Sequence, residues 1–361
     1  MKAAVFHAPN QPLTIEDVDI AKPGRREVLI RTAATGLCHS DLHFIEGKYP
    51  GPVPAVLGHE CSGIVEQVGE DVSYVKPGDA VITCLSVFCG HCESCVTGRM
   101  AICQTPEIRT PPGPSKRLSW RGRPLNQILN LSGFAEQMLV HEHALVRIPQ
   151  EVPMDRAALI GCAVITGYGA VVHTTKLAAG ETIAVLGCGG IGLSAINAAQ
   201  IAGASRIVAV DTDATKLAMA RTFGATDTVD ATAGDAVQAV LALTGGGVHH
   251  ALECVGLKQT AEQAFGMLRA GGTATIVGMI PFGTKIELHG FDFLRERRIQ
   301  GSLMGSNRFR VDMPRLIEFY RQGRLHLDAL VSGHIRLEQI NEGFAALARG
   351  GIGRNVIRFA Q

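Results

Sequence analysis

Thr182-Ile-Ala-Val-Leu-Gly-Cys-Gly-Gly-Ile-Gly-Leu193 decides how the second half of this chain folds. Its first five residues form an apolar, partly β-branched run, which reads as a buried strand. Gly187-Cys-Gly-Gly-Ile-Gly192 then fits G-x-G-x-x-G, and a helix pattern opens inside it at Gly190 and runs to Ala202. In that context each glycine has a task. Gly187 permits a tight turn, Gly189 lets the backbone approach a pyrophosphate, and Gly192 lets the helix pack close to the strand. Gly190 and Ile191 belong to the same turn. Asp211 lies 19 residues past Gly192, at the end of the next apolar run, 206–210. A carboxylate there accepts hydrogen bonds from ribose hydroxyls and repels a 2′-phosphate, so NAD is favoured over NADP. The alternative for Asp211 is a helix N-cap ahead of Ala214.

The alternation continues outward. Residues 214–223 and 259–268 read as helices and 250–253 and 273–277 as strands, so a parallel sheet with right-handed crossovers is expected over about 164–305. Residues 1 to about 100 differ: short β-rich runs are broken by Gly and Pro, the texture of an all-β, barrel-like unit. Residues 104–130 are polar, Pro-rich and basic, and read as a long surface loop. After Asn307 come an amphipathic segment with Leu316, Phe319 and Tyr320, a turn, a further segment at 335–349 and a last strand at 356–359.

A length of 361 residues suits two domains. The net charge of +1 gives no general attraction for nucleic acid or an anionic membrane. The basic run at 116–123, with Trp120, reads as a solvated loop rather than a nucleic-acid contact. Residues 1–13 lack a charged region followed by an apolar run, so no secretory signal is expected. The longest uncharged apolar stretch, 157–172, is shorter than the ~20 residues that span a bilayer. The expectation is a soluble, cytoplasmic protein, in which the ten cysteines serve as metal ligands or small buried residues rather than disulfides.

Four of them, Cys89, Cys92, Cys95 and Cys103, have the spacing Cys-x2-Cys-x2-Cys-x7-Cys. Two-residue gaps let a tight turn present successive sulfurs to one ion, and four thiolates leave zinc no open position, so this is a structural rather than a catalytic site. The same ligands also suit an iron–sulfur cluster.

Three further residues stand apart in sequence: Cys38 in Gly36-Leu-Cys-His-Ser-Asp-Leu-His43, His59 in Gly58-His-Glu60 and Cys162 in Gly161-Cys162. Spacing does not single them out, since a lone Cys or His is more often core filling than a ligand. Taken with the four-cysteine loop, with Thr166-Gly-Tyr-Gly-Ala170 and with the glycine motif, however, they resemble the zinc-containing alcohol dehydrogenases of the medium-chain dehydrogenase/reductase superfamily. The resemblance covers essentially the whole chain.

It implies a GroES-like β-barrel catalytic domain, residues 1–163 and 306–361, around an inserted Rossmann NAD-binding domain, 164–305, with the active site in the cleft between them. It implies two zinc ions per subunit: a catalytic one on Cys38, His59 and Cys162, with Glu60 and Asp41 behind the ligands and Asp41 orienting His59, and a structural one on the four-cysteine loop. Ser40 and His43 match the family's proton relay, which runs from Ser40 through the cofactor ribose to His43 and solvent. Lys216 should flank the adenosine ribose, Arg354 the pyrophosphate and Thr166 the cofactor. His39 should also meet the pyrophosphate, where many relatives carry Arg. The reaction implied is alcohol plus NAD⁺ to aldehyde or ketone plus NADH, with a polyol or formaldehyde/glutathione-adduct dehydrogenase as one alternative and a non-catalytic zinc and dinucleotide scaffold as another. Glu107 stands where the glutathione-dependent relatives place an Arg, which argues against glutathione adducts. Leu85 stands where several relatives put an aromatic pocket wall, which leaves room for bulkier or aromatic alcohols. A homodimer joined near residues 299–302 is expected, the tetramer being the other form in the family.

Overall fold

The computed structural model describes residues 1–105, 108, 117–351 and 353–360. The chain divides into two compact units. One comprises Met1–Cys162, Arg308–Phe319 and Leu327–Gln361, and the other Ala163–Asn307 and Tyr320–His326.

The second unit is built on a six-stranded sheet in the order Asp227–Asp230, Arg206–Asp211, Thr182–Leu186, Val248–Glu253, Leu268–Ile276, Arg298–Gly301, and every pair is parallel. The strand order reverses between Thr182–Leu186 and Val248–Glu253, which makes the carboxyl ends of those two strands the place where such sheets receive ligands. The Thr182–Leu186 strand is buried after its first residue, as its unbroken apolar run requires. Helix Gly190–Ala202 follows the glycine turn and stops at Gly203, whose φ of +86° is a left-handed cap. Helices Ala214–Thr222 and Ala236–Thr244 are capped by Asp213 and Asp235, each accepting two backbone N–H bonds. The cap ahead of Ala214 is therefore Asp213, which leaves Asp211 for other partners. Sequence reading missed the strand Asp227–Asp230 and the helix Ala236–Thr244; that strand pairs on one side only and alternates too few apolar residues to announce itself.

In the first unit the ten-residue strand Glu27–Gly36 is central. It pairs antiparallel with Cys61–Val68, Gln137–His141 and Arg354–Arg358, and its register shifts twice against Cys61–Val68. A second sheet contains Lys2–Phe6, Thr14–Asp17 and Ala55–Val56. It also holds a hairpin that corrects the loop expected over 104–130. Leu118–Trp120 and Arg123–Gln127 pair antiparallel around Arg121 and Gly122, whose φ values of 51° and 72° make the two-residue turn that suits strand twist. Burial of Leu118 and Leu125 drives the pairing, which composition alone conceals. Two of the basic side chains here have internal partners: Arg117 pairs with Glu27 at 2.6 Å, and Arg121 lies 4.5 Å over the Trp120 ring. Glu107, Lys116 and the prolines at 111, 112 and 114 lie outside the described residues.

The apolar stretch at 157–172 belongs to a longer helical segment, Met154–Thr175, of 22 residues. That length would cross a membrane, but its apolar window is 83 % buried inside the protein, as befits a core helix.

Candidate active site

Three separate backbone devices bring Cys38, His59 and Cys162 together. Cys38 stands just past the end of strand Glu27–Gly36 and opens helix His39–Ile45. His59 leaves a turn at Gly58, where φ is +94° and an added Cβ would lie 2.6 Å from the Phe134 backbone nitrogen, so only glycine fits. Cys162 sits in a π-helical turn, Ile160–Val164, interrupting the buried helix; such turns are frequent at functional sites. Gly161 packs that turn against Thr83, whose carbonyl would be 2.6 Å from a Cβ. All three side chains are buried, and their ligand atoms lie within 4.8 Å of one another.

The donor set suits a cation. The Cys38 and Cys162 sulfurs are 4.0 Å apart, and in a buried pocket like charges so close cannot both be carried unaided. The hydrogen bond between the two holds Cys38 well below the usual thiol range and pushes Cys162 well above it. His59 Nε2 is buried with no hydrogen-bond partner among the described residues, while Nδ1 lies 3.1 Å from Asp41 Oδ1. A soft divalent ion takes both thiolates and the free lone pair, and keeps one tetrahedral position for a fourth ligand. Asp41 is itself fixed, accepting the Gly58 N–H at 3.1 Å. Glu60 Oε1 lies 3.4 Å from Arg354 Nε, and the Arg354 guanidinium comes within 3.9 Å of Cys38 Sγ. Arg354 is thus buried beside the sulfur ligands. Ser40 Oγ is 3.7 Å from Cys38 Sγ. His43 follows one turn on, half-buried; burial first, and the Lys48 charge second, hold its pKa below the usual value. His39 is exposed.

The glycine-turn residues, Asp211 and Lys216 gather at the carboxyl end of the parallel sheet. Gly187 turns at φ +90°, and a Cβ there would meet Val255 at 2.6 Å. A Cβ on Gly192 would lie 1.8 Å from the Gly187 carbonyl oxygen, whereas one on Gly189 would meet nothing within 4 Å. Asp211 closes the same turn, accepting the N–H groups of Cys188 at 2.7 Å, Thr212 at 2.8 Å and Asp213 at 3.0 Å. Gly190 and Ile191 begin the helix, and Lys216 lies in the first turn of the next one. Thr166 is buried, its hydroxyl 3.5 Å from Met304 Sδ. Sequence reading missed Glu253, a fully buried carboxylate at the end of Val248–Glu253. It accepts from Val255 N–H at 2.8 Å, Gly256 N–H at 2.7 Å and the Thr260 hydroxyl at 2.7 Å, and so shapes the loop that meets Gly187. An acidic residue closing an apolar run is the signal that could have found it.

The four-cysteine loop forms a second cluster, again with sulfurs within 4.8 Å of one another. Gly90, at φ +88°, turns the chain between the first two ligands, and Cys92 opens the short helix Glu93–Val96. Backbone N–H groups of His91 and Cys92 point at Cys89 Sγ, 3.4 and 3.2 Å away. Burial raises the Cys89 thiol pKa, but hydrogen bonds from Thr105 and these amides outweigh it and hold the thiol at about 5, while burial pushes Cys95 up to about 12. Four sulfurs this close can act together as thiolates only around a cation.

Comparison with known proteins joins these sites. Residues 24–150 match the alcohol dehydrogenase GroES-like domain, and residues 190–322 match the zinc-binding dehydrogenase domain. The class-3 alcohol dehydrogenase of Zea mays is 37 % identical over 365 aligned positions, covering 99 % of this chain and 96 % of that protein. The chain belongs to the zinc-containing alcohol dehydrogenases. Among solved structures of this family, an alcohol dehydrogenase zinc-binding domain protein from Burkholderia ambifaria superimposes with a TM-score of 0.94 at 37 % identity, over 100 % of this chain and 99 % of that one. Benzyl alcohol dehydrogenase from Acinetobacter calcoaceticus gives 0.94 at 33 % identity, over 99 % of each chain. The fold is accordingly α/β, a GroES-like domain with a Rossmann-type one. Both clusters fit zinc, which is the family's metal: Cys38, His59 and Cys162 with an open position, and the four-cysteine loop without one.

Proposed function

We propose that this chain is an NAD-linked, zinc-dependent alcohol dehydrogenase that reversibly oxidises primary or secondary alcohols, aromatic and bulky ones included, to aldehydes or ketones. The convergence of Cys38, His59 and Cys162 within 4.8 Å, with Asp41 on the far nitrogen of His59, carries this reading. Zinc held there supplies a Lewis acid that acidifies the alcohol, and NAD supplies the hydride acceptor. Asp41 accepts the Nδ1 proton of His59, which fixes the tautomer and leaves Nε2 for the metal. Ser40, beside Cys38, takes the alcohol proton as its own hydroxyl proton passes on toward His43, which releases a proton to solvent. The depressed pKa of His43 keeps it neutral and able to accept at neutral pH.

Asp211 at the end of the second sheet strand supports NAD over NADP. Lys216, Thr166, His39 and Arg354 complete the cofactor contacts in this reading, with a GroES-like domain of 1–163 and 306–361 and a Rossmann domain of 164–305. The half-buried Leu85 and the likeness to a benzyl alcohol dehydrogenase both support aromatic substrates. The ten cysteines, none in a disulfide, suit a reducing compartment such as the cytoplasm. Strand Arg298–Gly301, at the edge of its sheet and flanked in sequence by exposed Phe291, Leu294 and Leu303, supports a homodimer joined there. The test is NADH formation with a panel of aliphatic, aromatic and terpenoid alcohols on protein of known zinc content. Turnover with aromatic alcohols supports the reading. Turnover with polyols or glutathione adducts alone replaces it, and none at all with zinc and NAD bound favours a scaffold.

A further inference from the structure

The His43 ring has an unusual anchorage. No hydrogen bond from the described residues fixes the imidazole, and Nδ1 is buried without a partner. What faces the ring is Tyr49: the two centroids are 5.8 Å apart and the planes 10° from parallel. The chain folds Tyr49 back onto the helix that carries His43, because the backbone N–H groups of both Lys48 and Tyr49 donate to the His43 carbonyl, at 2.9 and 3.3 Å. Gly47, at φ +70°, makes that return possible, and a Lys48–Glu46 ion pair of 2.7 Å spans it. The Tyr49 ring also meets Phe44 edge-on at 6.5 Å. Phe44 belongs to the buried core cluster that includes Leu42, Ile128 and Phe134, so the platform is anchored in the fold rather than free to swing.

We propose that Tyr49 is a positioning residue for the proton exit, holding the His43 imidazole by stacking in the orientation from which it accepts and releases the proton. This rests on His43 being the exit of the relay. Proton transfer needs its donor and acceptor within about 2.6–3.2 Å and aligned, and a ring with two rotatable bonds and no hydrogen bond to fix it satisfies that only part of the time. A stacked aromatic neighbour restricts the ring at the scale of a favourable aromatic pair. Because Tyr49 acts through the face of its ring, the hydroxyl is dispensable and Tyr49→Phe should serve as well.

The experiment is a double-mutant cycle on the zinc-loaded enzyme, reading kcat for alcohol oxidation, KM for NAD and zinc content. Tyr49→Ala should lower kcat about 3- to 10-fold, with zinc content and the KM for NAD unchanged, and Tyr49→Phe should restore the rate. His43→Gln should lower kcat further, and Tyr49→Ala should then add nothing to it, since the ring it positions has gone. Added imidazole buffer should lift the rates of both single variants and leave the native enzyme unchanged. If Tyr49→Ala slows the His43→Gln enzyme as much as it slows the native one, Tyr49 acts on the pocket or the fold and the proposal is overturned. A slow His43→Gln enzyme beside a native-like Tyr49→Ala overturns the positioning role alone. A native-like His43→Gln overturns the relay assignment, and the positioning role with it.

Discussion

Replacing Gly189 with alanine separates what the glycine turn does for the fold from what it does for a ligand. The backbone there has φ −79°, ordinary for any L-residue, and an added methyl meets no protein atom within 4 Å. The substitution should therefore change the stability of the ligand-free protein by no more than about 0.5 kcal/mol. If a pyrophosphate lies against this backbone, the methyl stands in its place. Intrusion of one methyl into a packed contact costs about 1–3 kcal/mol, which weakens NADH binding by roughly 5- to 150-fold. Gly192→Ala is the contrasting case. Its Cβ would lie 1.8 Å from the Gly187 carbonyl oxygen, where ordinary contact begins at 3.4 Å, so the helix must retreat from the strand whether or not a ligand is present. Thermal melting without NADH and fluorescence titration with it read the two effects. Gly189→Ala should melt like the native protein and bind NADH poorly, and Gly192→Ala should fail in both. Native NADH affinity in Gly189→Ala would refute the location of the dinucleotide phosphates at this turn.

Asp41→Asn leaves the His59 ring without its carboxylate and should weaken the catalytic zinc about 10- to 100-fold, read by competition with a chelator, while zinc in the four-cysteine loop stays. Cys103→Ser should do the reverse, losing the structural zinc and lowering the melting temperature while Cys38, His59 and Cys162 still bind theirs; a melting curve and a zinc count check both. Asp155, at the start of the helix that carries Cys162, bonds Arg358, His334 and Arg156. Burial would raise its pKa, but these partners hold it at about 2 against an ordinary 3.8. A depressed carboxylate stabilises the fold fully above its unfolded pKa and loses that effect as pH falls toward the folded value. Asp155→Asn should thus cost roughly 2 kcal/mol at neutral pH, and the gap to the native protein in urea unfolding should shrink between about pH 4 and pH 2. An unchanged gap would show that the ion pairs are not its source.

Most of the parallel sheet was legible because strand and helix periods alternate over 182–223 and again over 250–277, with the weakly patterned strand Asp227–Asp230 and helix Ala236–Thr244 lost between them, and helix Gly190–Ala202 begins and ends where its glycines say. The hairpin Leu118–Gln127 was not, because its polar and basic composition outweighs two buried leucines and a two-residue turn that only φ values expose. The four-cysteine loop is a local cluster, so spacing alone reveals it. The Cys38–His59–Cys162 set is non-local: strand pairing and a π-helical turn assemble residues up to 124 positions apart, and only resemblance named them in advance. Glu253 and Tyr49 escaped for the same reason. Their partners, a loop N–H pair and the face of an imidazole, are defined by folded geometry and leave no periodic trace.

The most direct test of the whole account counts zinc and turnover together in the native protein and in Cys162→Ala. The expected result is two zinc ions per native chain with NADH formed from an alcohol, against one zinc ion and no NADH formation in the variant. Undiminished turnover by a Cys162→Ala protein that holds a single zinc ion would contradict it.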